Sequence, residues 1–222
     1  MGSPSRGTAR RDLLIGRAIN EAVARAPWLW PLLRGPIRRF FSGRAAGWDE
    51  RTGAGGVEHL QPLAAAALHV PPAPERILDV GCGTGEGTLF FAREFPQARV
   101  RGVDVSEEMV AAATAKVGLD PEGRIAFKVG DAAALPYPDD SFDLVAQLNM
   151  PPFFAELTRV LRPGGQVIVA ASWGAATPFY TRPGLLRWKF LQRGVEPVEI
   201  GTAGVGSFYV GRLGESRGDA PE

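Results

Sequence analysis

RILDVGCGTGEGT, Arg76 to Thr88, reads as a short apolar strand that runs straight into a glycine-rich turn and then a helix. In an open parallel sheet, ligands bind beyond the carboxyl ends of the strands where strand order reverses, and the turn after the first strand lies at that point. The identity of the ligand follows from which glycine pattern the turn obeys. A dinucleotide turn requires G-x-G-x-x-G. Counted from Gly81 and Gly83 the third slot is Glu86, and counted from Gly83 and Gly85 it is Thr88, so both registers fail. A P-loop requires Gly-Lys-Ser/Thr, and this stretch has no lysine. What remains is G-x-G-x-G flanked by two acids, Asp79 and Glu86. Negative charge around the turn repels phosphate but suits a ligand with a ribose, a purine and a cation.

Outward from the turn, short apolar strands alternate with helices. Strands are expected over Arg76–Val80, Arg99–Val105, Arg124–Val129, Phe142–Leu148 and Gln166–Ser172. Helices are expected over Gly85–Phe95, Ser106–Val117 with Ser106 as its cap, and Phe153–Leu161, ended by Pro163 in RPGG. A helix over Gly184–Gln192 precedes Val195–Ile200 and Ser207–Leu213, which are joined by GTAGVG, too short for a parallel crossover. The class is therefore α/β: a doubly wound, mostly parallel seven-stranded sheet with a terminal antiparallel hairpin. Two further acids end strands: Asp104, about twenty residues after the turn, where a carboxylate can take two ribose hydroxyls, and Asp131, where one can accept from an exocyclic amine.

Ahead of the sheet, residues 1–9 read as loose and Asp12–Ala26 as a helix. PWLWPLLRGPIRRFF, Pro27 to Phe41, is interrupted by three prolines yet dense in Trp, Leu and Phe, and Val57–Leu68 is a further helix. Residues 1–44 carry nine arginines against Asp12 and Glu21, a net of +7, although the whole chain of 222 residues is only +1. Residues 1–70 thus read as a basic, aromatic helical arm or lid, 71–213 as the ligand-binding domain and 214–222 as a flexible tail. The arm has three readings: a membrane-surface element through residues 27–41, a lid over the ligand, or a helix packed on the sheet. The overall charge gives no strong nucleic-acid signal. A single cysteine, Cys82, excludes an intrachain disulfide or a cysteine metal cluster, no metal site is expected, and no apolar run is long enough to span a bilayer. A cytoplasmic setting is the expectation.

Four segments, ILDVGCGTGEGT, VRGVDVSEEMV, KVGDAAALPYPDDSFDLV and ELTRVLRPGGQVIVAAS, resemble the class I S-adenosylmethionine-dependent methyltransferases, especially the small-molecule branch that includes quinone-biosynthesis enzymes. The resemblance covers Ile77 to Ser172 and implies their Rossmann-like fold, with S-adenosylmethionine as the cofactor and a small, apolar or aromatic acceptor. It implies that Asp79, Gly81, Cys82, Gly83 and Gly85 shape the pocket for the methionine part. Asp104 and Val105 would hold the ribose, Met109 and Ala132 would line the adenine, and Asp131 would read its amine. Gln147 and Leu148 would stand near the methionine amine and the reacting methyl.

Other residues remain as candidates. His59 lies on a helix that can border the pocket and is the candidate base; His69 reads as surface, and Cys82 as a small filler of the turn. Trp48 and Tyr180 are candidate wall residues. NMPPFF, Asn149 to Phe154, is similar to an amine-gripping Asn-Pro-Pro-aromatic motif, but Met150 intervenes, so a helix with Pro152 in its first turn is the expectation. An amine or nucleic-acid N-methyltransferase, or a cofactor-binding module without catalysis, are the alternative functions.

Overall fold

The computed structural model describes residues 6–71 and 73–215, with side chains from Leu13 onward. Its strands are β1 (Arg76–Val80), β2 (Arg99–Asp104), β3 (Ile125–Val129), β4 (Phe142–Leu148), β5 (Leu161–Ala171), β6 (Val195–Ala203) and β7 (Gly206–Leu213). They form one sheet in the order β3-β2-β1-β4-β5-β7-β6. The first five are parallel, and β7 runs antiparallel to both β5 and β6. Order reverses between β1 and β4, which opens a crevice at their carboxyl ends.

The central strands β1, β4 and β5 are near-continuous buried runs because both of their faces are covered, whereas the edge strand β6 alternates buried and exposed residues. Ile77, Val100, Leu144 and Ile168 pack on one side with Leu60, Leu63 and Phe91 of α4 (Val57–Ala67) and α5 (Glu86–Glu94). Leu78, Val103, Val145 and Val167 pack on the other with Leu157 of α7 (Phe154–Arg159) and Leu186 and Phe190 of α8 (Pro183–Leu191). α6 (Glu107–Ala115) follows β2, and the Ser106 hydroxyl caps it by accepting from the Met109 amide at 3.2 Å.

Several boundaries differ from expectation. The helix ahead of RPGG is the shorter α7, and β5 begins at Leu161 rather than Gln166. The reason lies in pairing: the Val160 carbonyl accepts from the Ser141 and Phe142 amides at 2.9 and 3.0 Å, and Phe142 pairs with Leu161, so the chain enters the sheet before the turn. Helix α1 (Arg6–Arg25) starts within the stretch read as loose, where the sequence holds no proline from Ser5 to Ala26; residues 1–5 lie outside the described residues. The prolines of the arm do not break it: Pro27–Leu29 is a 3-10 turn and α2 (Trp30–Ser42) is one helix with Pro31 in its first turn, where no amide is missed. Pro36 sits inside α2, and the Leu32 carbonyl it leaves free is on an exposed residue. A short α3 (Trp48–Thr52) completes the arm. α4 is different in kind, since it packs into the sheet core with Phe208 and Val210. The terminal hairpin turns more tightly than GTAGVG suggested: Ala203 pairs with Gly206, and Gly204 has φ 57°. Of the tail read as flexible, Gly214 is tied down by a bond from its amide to the Gly194 carbonyl at 3.0 Å, and residues 216–222 lie outside the described residues.

Candidate active site

The glycine turn is fastened to the neighbouring strand, since the Gly81 and Cys82 amides both donate to the Val103 carbonyl, at 2.8 and 3.0 Å. Gly81, Gly83 and Gly85 are left-handed, with φ of 70°, 51° and 89°. Their surroundings differ. A Cβ on Gly85 would lie 2.8 Å from Phe127 and 2.9 Å from Ala113, whereas one on Gly83 would meet nothing within 4 Å. Gly83 therefore faces open space, and Gly85 forms the packed back of the turn.

Two carboxylates stand beside that space. Asp79 is wholly buried, and its pKa is pushed up to about 6 by burial, against the hydrogen bond that the Thr88 hydroxyl donates at 2.7 Å; the nearby Asp104 charge pushes the same way as burial. Asp104 accepts from the Gly83 amide at 3.0 Å through Oδ2 and from the Ser106 amide at 2.9 Å through Oδ1. Each oxygen keeps a lone pair for a further donor. Burial raises the Asp104 pKa against those amide bonds. The Cys82 thiol is raised well above its ordinary value, first by burial and then by Asp79, so it stays protonated and unreactive.

These groups line a cleft with about 1090 Å³ of free space, part of it open to solvent. Asp79, Asp104 and Glu86 line it, and no Lys or Arg does so among the described residues. Glu86 is neutralised by Lys116 at 2.7 Å; Asp79 and Asp104 have no cation paired with them among the described residues. A buried and a half-buried acid, neither with a counter-ion among the described residues, suit an adenosine that carries a sulfonium and an ammonium, and oppose a pyrophosphate. The donor set thus fits S-adenosylmethionine and not a dinucleotide.

Of the residues expected at the site, Asp79, Gly81, Cys82, Gly83, Asp104, Val105, Met109, Ala132 and Leu148 line the cleft together with His59. Gly85 supports the turn from behind. Gln147 is wholly buried and gives its amide to the Met150 carbonyl at 2.9 Å, leaving its Oε1 without a partner. Asp131 is held by the arm: Oδ1 accepts from the Trp30 indole at 2.7 Å and from the Ala133 amide at 2.9 Å, and Oδ2 from Arg34 at 3.3 Å.

The remaining wall is in keeping with the lid reading of the arm, but its individual residues were not singled out in sequence. Trp30, Ile37 and Phe41 come from α2, and Phe153 stands edge-on to Trp30 with ring centres 4.9 Å apart. The aromatic density of residues 27–41 carried that signal without saying which rings turn inward. Trp48 lines the cleft as expected, but Tyr180 does not, and its neighbour Phe179 does. α3 is latched to the glycine turn through Asp49, which accepts from the Thr84 hydroxyl and pairs with Lys116. His59 has its Nδ1 buried without a partner among the described residues, and burial lowers its pKa against the raising effect of Glu86 and Asp49.

NMPPFF does not form the amine grip. Asn149, at φ 57°, spends its side chain on Ser172: Oδ1 accepts from the amide and Nδ2 donates to the hydroxyl, both at 2.8 Å. Pro152, expected in the first turn of the next helix, stands ahead of it, since α7 begins at Phe154.

Comparison with known proteins agrees with this geometry. A family model described as a methyltransferase domain matches residues 77–165. The chain is 34% identical over 169 residues to a demethylmenaquinone methyltransferase of Roseiflexus castenholzii, covering 71% of this chain and 67% of that protein. It is 38% identical over 108 residues to an O-methyltransferase of Penicillium expansum, covering 45% of this chain and 39% of that one. The chain thus spans from about two thirds to well under half of the length of these curated relatives. A SAM-dependent methyltransferase structure from Aquifex aeolicus superposes with a TM-score of 0.61 at 18% identity, over 71% of this chain and 92% of that one, which speaks for the fold. By turn chemistry, sheet topology and sequence together, the chain belongs to the class I S-adenosylmethionine-dependent methyltransferases and is similar to those of quinone biosynthesis.

Proposed function

We propose that the chain moves a methyl group from S-adenosylmethionine to a small, apolar or aromatic acceptor. The observation that carries this reading is one cleft with two chemistries: the carboxylates of Asp79 and Asp104, and the rings of Trp30, Phe41, Trp48, Phe153 and Phe179. When bound, S-adenosylmethionine supplies an electrophilic methyl on a sulfonium for in-line displacement. Asp104 is suited to the two ribose hydroxyls, since both of its oxygens have capacity left. Met109 and Ala132 offer apolar flanks for the adenine, and Asp79 favours the cationic end of the ligand. The rings exclude water and align the acceptor, which is where most of the acceleration for such a displacement originates. The names of the relatives, a demethylmenaquinone methyltransferase and an O-methyltransferase, are in keeping with a quinol, phenol or enol acceptor.

Such an acceptor must lose a proton, and His59, which lines the cleft, is the candidate to take it. Its imidazole is kept neutral by burial, while Asp49 and Glu86 favour the charged form that proton uptake creates. His59 would take the acceptor's O–H or C–H proton, and the electron pair left on that oxygen or carbon would take up the methyl of a bound S-adenosylmethionine as the methyl–sulfur bond's electrons stay on sulfur to leave S-adenosylhomocysteine.

The test is S-adenosylhomocysteine release with a panel of quinols, phenols and amines. Turnover is expected on the quinols or phenols and not on the amines. His59→Gln should lower kcat about tenfold or more while leaving S-adenosylmethionine affinity intact. Cofactor binding with no product across the panel would overturn the reading in favour of a binding module.

A further inference from the structure

α2 turns one side into the cleft, and its opposite side continues an exposed apolar surface from the 3-10 turn before it. Trp30, Ile37 and Phe41 turn into the cleft. At three- and four-residue spacings, Trp28 at the preceding turn, Leu32 and Arg39 share the other side. Trp28 is 73% exposed and Leu32 75%, with Leu29 at 38% and Phe40 at 39% beside them. Large apolar side chains gathered at this exposure mark a contact surface rather than ordinary surface scatter.

The rim of the patch is cationic. Arg38, Arg39 and Arg44 are exposed, as are Arg25 and Arg34, which are paired with Glu21 and Asp131. Between residues 13 and 44 the only acid is Glu21, already paired with Arg25 at 2.6 Å. Arg39 and Arg44 make no ion pair among the described residues, and the Arg44 guanidinium lies 3.7 Å over the Phe40 ring. An apolar centre with Trp and Leu, ringed by arginines whose stems can lie along apolar surface, matches the boundary between acyl chains and anionic headgroups. Nucleic acid would use the arginines and leave Trp28 and Leu32 in water.

We propose that this outer face of the 3-10 turn and α2 docks on a bilayer surface bearing anionic lipid, with Trp28, Leu29 and Leu32 entering the interface and the arginines meeting lipid phosphates. Because the inner face of the same helix walls the cleft, docking sets the acceptor pocket against the bilayer. That consequence, an apolar acceptor drawn from the membrane, rests on the methyl-transfer reading; the docking itself does not.

The experiment is sedimentation of the full chain with vesicles of phosphatidylcholine alone or with added phosphatidylglycerol. Most of the protein should sediment with the anionic vesicles, little with the neutral ones, and added salt should release it. Trp28→Glu with Leu32→Glu should lower retention about tenfold or more, as should Arg38→Glu with Arg39→Glu. All four positions are exposed, so both variants should keep the parent melting temperature and S-adenosylhomocysteine affinity, which also separates failed docking from a failed cofactor site. No retention on anionic vesicles at low salt, equal retention of the Trp28/Leu32 variant, or retention on RNA in place of vesicles would each overturn the proposal.

Discussion

The Trp30 indole donates to Asp131 at 2.7 Å and so fastens the arm to the end of β3 by the carboxylate that family resemblance assigns to the adenine amine. Trp30→Phe keeps a ring against Phe153 and removes only the donor. A hydrogen bond to a partly buried carboxylate is worth about 1.5 kcal/mol, so urea unfolding should show a loss of that order. The same variant frees one acceptor site on Oδ1 of Asp131, which still accepts from the Ala133 amide, and its S-adenosylmethionine affinity should hold or tighten. Asp131→Asn should weaken binding. Calorimetry on the two variants checks the pair of outcomes.

Gly83 and Gly85 are both left-handed but predict opposite phenotypes. Gly83→Ala adds a Cβ to open space, so its stability cost is only the backbone strain of about 1–2 kcal/mol, while the methyl intrudes on the cleft and cofactor affinity drops. Gly85→Ala adds contacts of 2.8 and 2.9 Å with Phe127 and Ala113 to the same strain, and should be clearly the less stable of the two. Denaturation midpoints set beside ligand titrations separate the two effects.

The Asp79 carboxyl, near 6 when folded against an ordinary value of 3.8, holds its proton longer in the folded chain than in the unfolded one. Its contribution to stability is therefore greatest below the unfolded value and declines as pH rises through the folded one, by about 3 kcal/mol at most. Asp79→Asn should flatten this slope, seen as the difference between the two proteins' urea midpoints from about pH 4 to pH 7. A cationic ligand favours the ionised form, so S-adenosylmethionine should bind more tightly as pH rises through about 6 and should release a proton on binding. Calorimetry in buffers of different ionisation enthalpy measures that proton.

Lys116 stands between Asp49 and Glu86, the two acids that favour protonated His59. Lys116→Met leaves both carboxylates without their cation. The His59 pKa, lowered by burial, should then move upward, and nuclear magnetic resonance of the imidazole protons follows it directly. An unchanged value would mean that burial alone governs His59.

Much of this was legible from residues 76–172 because a parallel sheet writes itself in sequence. The strands are short apolar runs, and β1 and β2 carry the acids Asp79 and Asp104 at their carboxyl ends. The entry of β5 at Leu161 was not legible, since it depends on Val160 bonding the backbone amides of Ser141 and Phe142, 19 and 18 residues away. Engagement of Asp131 by Trp30 was hidden for the same reason: the two residues lie 101 positions apart. Gln147 and Asn149 lie at the end of β4, but burial keeps the first out of the cleft lining, and Ser172 holds the side chain of the second, which still borders the cleft. Phe179 sits in a loop with no periodicity to mark it.

Two uncompensated acids that grip a sulfonium-bearing adenosine are the centre of this account, and titration calorimetry of the intact chain with S-adenosylmethionine, S-adenosylhomocysteine and NAD tests them most directly. The first two ligands should bind and NAD should not. Asp104→Asn, which keeps the shape of the side chain, should weaken both by about tenfold or more, equivalent to about 1.4 kcal/mol. Binding of NAD alone, or undiminished S-adenosylmethionine binding by the variant, would contradict it.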